Sequence, residues 1–172
     1  MMNRRNALAL GISAIALAAC GGARRPDFGA TAGRATGIYT ITAAQAQAIP
    51  FRALDAINAI RGASGLTSLQ FSAELNAAAL THARDMSVQN RPWHFGSDGS
   101  SPLLRAQRVG FRGRFMGELI SETFETELQT INAWMKDPTT RSVLLDPAAT
   151  VMGFAWYQEQ NGKIWWTLMT GA

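Results

Sequence analysis

The apolar positions of the chain follow two different periods. Val151 to Tyr157 and Lys163 to Met169 alternate with period two, and both alternate sets are apolar. Met152, Phe154 and Trp156 interleave with Val151, Ala155 and Tyr157, while Ile164, Trp166 and Leu168 interleave with Trp165 and Met169. A hairpin with one wet face would keep one set polar, so the pattern predicts two strands covered on both sides. Asn161-Gly162 between them predicts a two-residue hairpin turn.

The rest of the chain has helical spacing. Thr42 is placed to cap an alanine- and glutamine-rich run that Pro50 interrupts, after which Phe51, Leu54, Ile57 and Ile60 recur on one face up to Gly62. Leu69 and Phe71 are short anchors after a turn at Gly65-Leu66. Ser72 then predicts the cap of a second helix reaching about Asn90, with Leu75, Ala79, His82 and Met86 as its buried stripe. A histidine on such a stripe reads as a core residue with a local hydrogen bond. Pro102 to Val109 predicts a short helix with Arg105 and Arg108 on its wet side, and Phe115 to Ile120 predicts a brief strand. Thr126 and Gln129 have capping-box spacing for a helix that buries Leu128, Ile131 and Met135, with Trp134 beside that stripe. Asp137-Pro138 opens another, leading to Val143 and Leu145. Helices combined with strands covered on both faces predict an α+β domain, a three-layer α-β-α sandwich around a small, mostly antiparallel sheet.

Composition changes this picture only at the N-terminus. The 172 residues, 47% hydrophobic and 16% charged, suit one globular domain with an additional segment. Arg4 and Arg5 precede an apolar run from Ala7 to Ala19 that is too short to span a bilayer and is followed by small residues, the layout of a secretory signal. Leu17-Ala18-Ala19-Cys20 has the form of a bacterial lipobox, which predicts cleavage before Cys20 and lipidation of its thiol. Cys20 is also the only cysteine, and acylation accounts for a lone thiol in an oxidising compartment. Gly21, rather than an aspartate, follows it, as in lipoproteins passed to the outer membrane. Residues 1–19 are thus expected to be a signal peptide, 20–39 a lipidated tether poor in large apolar residues, and 40–172 the folded domain. The expected location is the periplasmic face of the outer membrane.

The net charge of +4 belongs to the leader and tether. Five of the 16 basic residues and one of the 12 acidic residues lie before residue 35, leaving eleven of each. A neutral domain gives no support to nucleic-acid binding, which needs a clustered basic surface.

Candidate chemistry concentrates between Pro92 and Glu118. The run Gly96-Ser97-Asp98-Gly99-Ser100-Ser101-Pro102 predicts a surface loop; His94 enters it, and Glu118 follows Gly117 beyond it. An imidazole and a carboxylate brought together in this way are raw material for a metal or acid/base site. Arg105, Arg108, Arg112 and Arg114 lie within ten residues and favour an anionic ligand, with Ser97, Asp98, Arg105 and Arg108 the candidate ligand-binding residues. Ser100 and Ser101 read as turn formers, not nucleophiles.

These residues resemble the CAP superfamily of cysteine-rich secretory, antigen 5 and pathogenesis-related proteins, in its bacterial secreted form. The resemblance rests on Asn58 and Arg61, Leu69, the run Thr81-His82-Ala83-Arg84-Asp85-Met86, the loop from His94 with Arg105 after it, Gly117-Glu118, Ala133-Trp134-Met135 and the closing hairpin, and covers about residues 50–172. It implies an α-β-α sandwich and a cleft with two histidines and two glutamates that in some members binds zinc or another divalent cation. His94 matches the first histidine and Glu118 the glutamate of the Gly-Glu-Asn motif, although Leu119 replaces the asparagine. Gln129 stands where the second glutamate is expected and Thr140 where the second histidine is expected. One imidazole and one carboxylate do not make a zinc site, since an amide and an alcohol are weak neutral donors, so no metal or other cofactor is expected.

The expected function is that of a monomeric, membrane-anchored envelope lipoprotein whose degenerate cleft binds a small ligand, lipid or cell-wall fragment without catalysis. A hydrolase or protease using His94 and Glu118 as an acid/base pair is the alternative, and sterol or fatty-acid carriage is a third reading resting on family analogy.

Overall fold

In a computed structural model of the chain, residues 37–122 and 124–172 are described. The predicted signal peptide, the lipidation site Cys20 and most of the predicted tether lie outside the described residues. The elements run α1 (Ala43–Ala63), β1 (Gln70–Phe71), α2 (Ala73–Gln89), α3 (Pro102–Arg108), β2 (Phe115–Ser121), α4 (Glu127–Lys136), α5 (Pro138–Leu144), β3 (Val151–Gln158) and β4 (Ile164–Gly171).

The sheet has the order β1-β3-β4-β2. β1 pairs parallel with β3 over two residues, and the other two pairings are antiparallel. The two alternate sets read from the sequence part as expected. Met152, Phe154, Ile164, Trp166 and Leu168 pack with Ile49, Ile57, Ile131, Trp134 and Leu144 of α1, α4 and α5. Ala155 and Met169 pack with Leu75, Ala78 and Ala79 of α2 and Ala106 of α3, and Trp165 packs with Ala83 and Met86. The α-β-α sandwich is therefore as predicted. Three of the buried residues of α2, Ala78, Ala79 and Ala83, are small and let the helix approach the sheet closely. At Gly153 the backbone of α2 at Leu75 and Asn76 sits where a Cβ would lie, so only glycine admits this approach.

The helix starts follow their caps. Thr42, Ser72, Ser101, Thr126 and Asp137 each accept a backbone N–H of the first turn, and Asn90 ends α2 in the left-handed conformation.

Five local expectations change. Pro50 does not interrupt α1, which runs through it. The residues buried at fourfold spacing, Ile49, Ala53, Ile57 and Arg61, lie on both sides of the proline, so packing on the sheet keeps the two halves in one helix. Phe51 is consequently 56% exposed. In α4 the buried residues are Glu127, Thr130, Ile131 and Trp134, while Leu128 is 52% exposed. The stripe is rotated toward Glu127, whose carboxylate accepts from Arg52 Nε at 2.7 Å. Arg105 is buried and not on the wet side of α3. The hairpin turn is longer than two residues: Gln158 pairs with Ile164, Glu159 N donates to Lys163 O, and Gly162, at φ +91°, donates to Glu159 O. Asn161-Gly162 is thus the end of a three-residue loop in which the glycine takes the left-handed position.

Arg61 organises the far side of the first layer. Its buried guanidinium donates to the carbonyls of Thr67, Leu144, Asp146 and Ala149, joining the α1–β1 loop to the α5–β3 loop. Burial lowers its pKa, against a smaller opposing effect of Asp146.

Candidate functional site

On the α2 and α3 side of the sheet the small side chains leave room for polar groups. Leu119 of β2 enters the large core beneath α1, so Glu118, one residue earlier, points to the opposite face. Its side chain is 1% exposed, and both oxygens are engaged: Oε1 accepts from His94 Nδ1 at 2.9 Å and Oε2 from Arg105 Nη2 at 2.7 Å. Arg105 also donates to Ser100 O (Nη1, 2.8 Å) and His94 O (Nη2, 3.0 Å), so one guanidinium fixes the carboxylate and both ends of the loop. The His94 ring is 51% exposed.

His82, read from the sequence as a core histidine, is fully buried and hydrogen-bonds Trp93 O through Nε2 at 2.9 Å. That nitrogen is also 3.6 Å from Glu118 Oε1, which places His82 beside the carboxylate. Burial lowers the His82 pKa, the nearby Glu118 opposing it, and a neutral ring donating through Nε2 leaves Nδ1 as a buried acceptor without a partner. The sequence pattern did not bring His82 to this site, and its run Thr81 to Met86 entered only through the family resemblance. Asp85 accepts from Ser97 N, Ser97 Oγ and Gln89 Nε2 and thereby anchors the tip of the loop.

The four candidate ligand-binding residues come together. Ser97, Asp98, Arg105 and Arg108 line one cavity of about 250 Å³ between α2, the loop and α3, with Ala78 and Val109 as apolar surface. At its rim Arg108 Nη1 donates to Asp98 Oδ2 at 2.5 Å, both side chains being half exposed. Hydrogen bonds from Ser100, then Arg108, hold the Asp98 carboxyl well below the usual carboxylate range. Each of the two guanidiniums is therefore matched with a carboxylate, and among the lining residues the buried side-chain atom left without a partner is Arg105 Nε.

Gln129 and Thr140 bond elsewhere. Gln129 Oε1 accepts from Glu125 N, and the Thr140 hydroxyl donates to Trp134 O at 2.6 Å. Gln129 lines a separate, open depression with Phe124 and Lys136.

The model of the CAP family, the cysteine-rich secretory protein family, matches residues 54–169. The chain belongs to this family. Solved structures agree on the fold. An extracellular protein of Bacillus anthracis containing an SCP domain is similar at 20% identity and a TM-score of 0.68, covering 77% of this chain and 45% of its own. An outer surface protein of Borrelia burgdorferi gives 16% and 0.64, covering 69% and 87%. A cysteine-rich secretory protein of Staphylococcus aureus gives 16% and 0.61, covering 76% and 40%. The chain thus spans less than half of the Bacillus and Staphylococcus proteins. A comparison with curated proteins returns no match.

The resemblance to CAP proteins implied a divalent cation held by two histidines and two glutamates, and the donor set does not fit one. Glu118 spends both oxygens on Arg105 and His94, a guanidinium 2.7 Å away opposes a second cation, and Gln129 and Thr140 supply neither charge nor imidazole. Among the described residues no three His, Cys, Asp or Glu side chains form a group suited to a metal ion.

Proposed function

We propose that this CAP domain is a small-molecule binding module, exported and lipid-anchored at the cell envelope, and that its site works without catalysis. The observation that carries the reading is the shared cavity of Ser97, Asp98, Arg105 and Arg108 beside a carboxylate whose two oxygens are already committed. A general base must present a lone pair to its substrate, and Glu118 is buried under Arg105. The same pairing redefines the ligand. Because the guanidiniums are neutralised in place, the fitting ligand brings one compact acceptor group to the exposed Arg108 and Asp98 rim, over an apolar patch. A lipid carboxylate, a phosphate and the acetamido group of a cell-wall sugar share that chemistry.

Thermal-shift and calorimetric titrations of the purified protein with octanoate, inorganic phosphate and N-acetylglucosamine test it. One of them is expected to stabilise the protein, with the effect weakened by Arg108→Ala and Asp98→Ala. Silence of all three rejects the reading. Anchoring is supported by the Leu17-Ala18-Ala19-Cys20 sequence and the lone cysteine. Cys20→Ser is expected to move the protein from the membrane to the soluble fraction, and soluble wild-type protein would reject the anchor.

One observation favours hydrolysis instead. Glu118 fixes Nδ1 of a half-exposed His94, the arrangement in which a carboxylate orients an imidazole to act as a base on water. Turnover of ester or peptide substrates that disappears in His94→Ala would establish this second reading.

A further inference from the structure

The sheet has an edge that is only partly covered. β3 is paired with β4 along its whole length, but on its other side β1 reaches only Val151 and Met152. Met152 O accepts from Ser72 N on the β1 side, whereas Glu159 N donates to Lys163 O on the β4 side. In an antiparallel ladder the direction of the backbone groups alternates residue by residue, so Phe154, Trp156 and Gln158 turn their N–H and C=O groups away from β4; Phe154 is fully buried, and the open edge is that of Trp156 and Gln158. A second observation places open space there. A cavity of about 420 Å³ is lined by all five residues from Phe154 to Gln158, which only the edge of a strand can present together, since its faces show alternate residues. Its walls are Ala46 and Pro50 of α1 on one side and Asn76, Leu80 and Arg84 of α2 on the other.

We propose that this slot receives an extended peptide carrying an acidic side chain, which adds a strand to β3. The chain itself shows that extended backbone fits at the end of the slot: the Gln158 side-chain amide accepts from Ile41 N and donates to Tyr39 O, as a neighbouring strand would. α1 then begins at Ala43, and the edge at Trp156 is left without a strand beside it. A peptide of about five residues, roughly 16 Å when extended, spans it. The charge preference follows from Arg84, the one charged residue of the lining and one that forms no ion pair among the described residues. Asn76 Oδ1, buried without a partner in the α2 wall, adds an acceptor. A second copy does not fit, because its own β3 edge is flanked by the same helices and wall would meet wall.

The test uses the full chain and fluorescein-labelled Val-Glu-Val-Glu-Val, its lysine counterpart, and two versions of the acidic peptide N-methylated on one or the other alternate set of residues. Fluorescence anisotropy is expected to show binding of the acidic peptide, weakened by about tenfold or more with lysine and by N-methylation of one set but not the other. Arg84→Glu is expected to reverse the charge preference, and hydrogen exchange to slow at Trp156 and Gln158. Equal binding of all peptides, binding of none, or protection at other amides overturns the proposal. So does protection of these two amides before any peptide is added: in a monomeric chain it would assign the slot to upstream residues, and in a self-associated one to a second copy.

Discussion

Among the described residues two arginines are buried, one on each side of the sheet, and they do opposite things. Arg61 lies in the layer of α1, α4 and α5 and spends its guanidinium on four backbone carbonyls. Among the described residues it forms no ion pair, and it joins two loops to the largest core. Arg105 lies on the side of α2 and α3 and shares its guanidinium between Glu118 and the carbonyls that shape the His94 loop. A cation hydrogen-bonded only to main chain is a structural joint, because none of the groups that hold it titrates or can be displaced. A cation matched to a buried carboxylate, with a half-exposed imidazole on the other oxygen, belongs to a site that a ligand can perturb.

The first layer should carry the stability. Trp166→Ala removes a fully buried ring from the core and is expected to cost about 3 to 5 kcal/mol in urea unfolding. A loss under 1 kcal/mol would place the load elsewhere. Arg61→Lys keeps the charge but cannot reach four carbonyls, and each one left unmet costs about 1 to 3 kcal/mol. The expected loss is about 2 to 3 kcal/mol, with ligand binding by the surviving folded protein unchanged. If ligand binding falls with it, the division between the two sides fails.

On the second side the coupling matters more than the loss. A double-mutant cycle of Arg105→Met and Glu118→Gln is expected to give an interaction energy of roughly 1 to 3 kcal/mol, since both side chains are buried and in contact. Additivity would show that the pair is not a unit. His82 gives a smaller, pH-dependent effect. Its pKa in the folded protein lies below the ordinary 6.5, so between the two values the unfolded chain binds more protons and stability falls as the pH is lowered through that window. The slope from this one group approaches roughly 1.4 kcal/mol per pH unit. Denaturation midpoints from pH 8 to pH 5 should show it, and His82→Gln, which retains a donor for Trp93 O, should flatten it. The smallest effect is at the rim, where Arg108→Ala breaks an exposed ion pair and should change stability by less than about 1 kcal/mol while weakening the ligand.

The features legible in the sequence were those set by neighbours along the chain. Alternation of apolar residues in both closing strands was enough to require a layer on each face, and Thr42, Ser72, Thr126 and Asp137 marked four helix starts because a cap and its N–H groups are two or three residues apart. The order of chemistry-bearing residues identified His94 and Glu118 as partners across 24 positions. The helix stripes were less legible. α1 and α4 are each rotated from the expected face, since Ala53 and Glu127 are buried while Phe51 and Leu128 are exposed. Which of several adjacent faces is buried depends on the shape of the sheet it meets, not on the helix.

What the tertiary structure alone decided is where charge is buried. Arg61 takes three of its four carbonyls from residues 83 to 88 positions away, Arg105 reaches Glu118 across 13, and His82 stands beside that carboxylate although its own helix marks it as core. A buried ionic group is tolerated only when the partners that satisfy it arrive together. Their arrival is a property of chain crossings that no local pattern of apolar and polar residues encodes, whereas the layers those crossings join were written in the alternation itself.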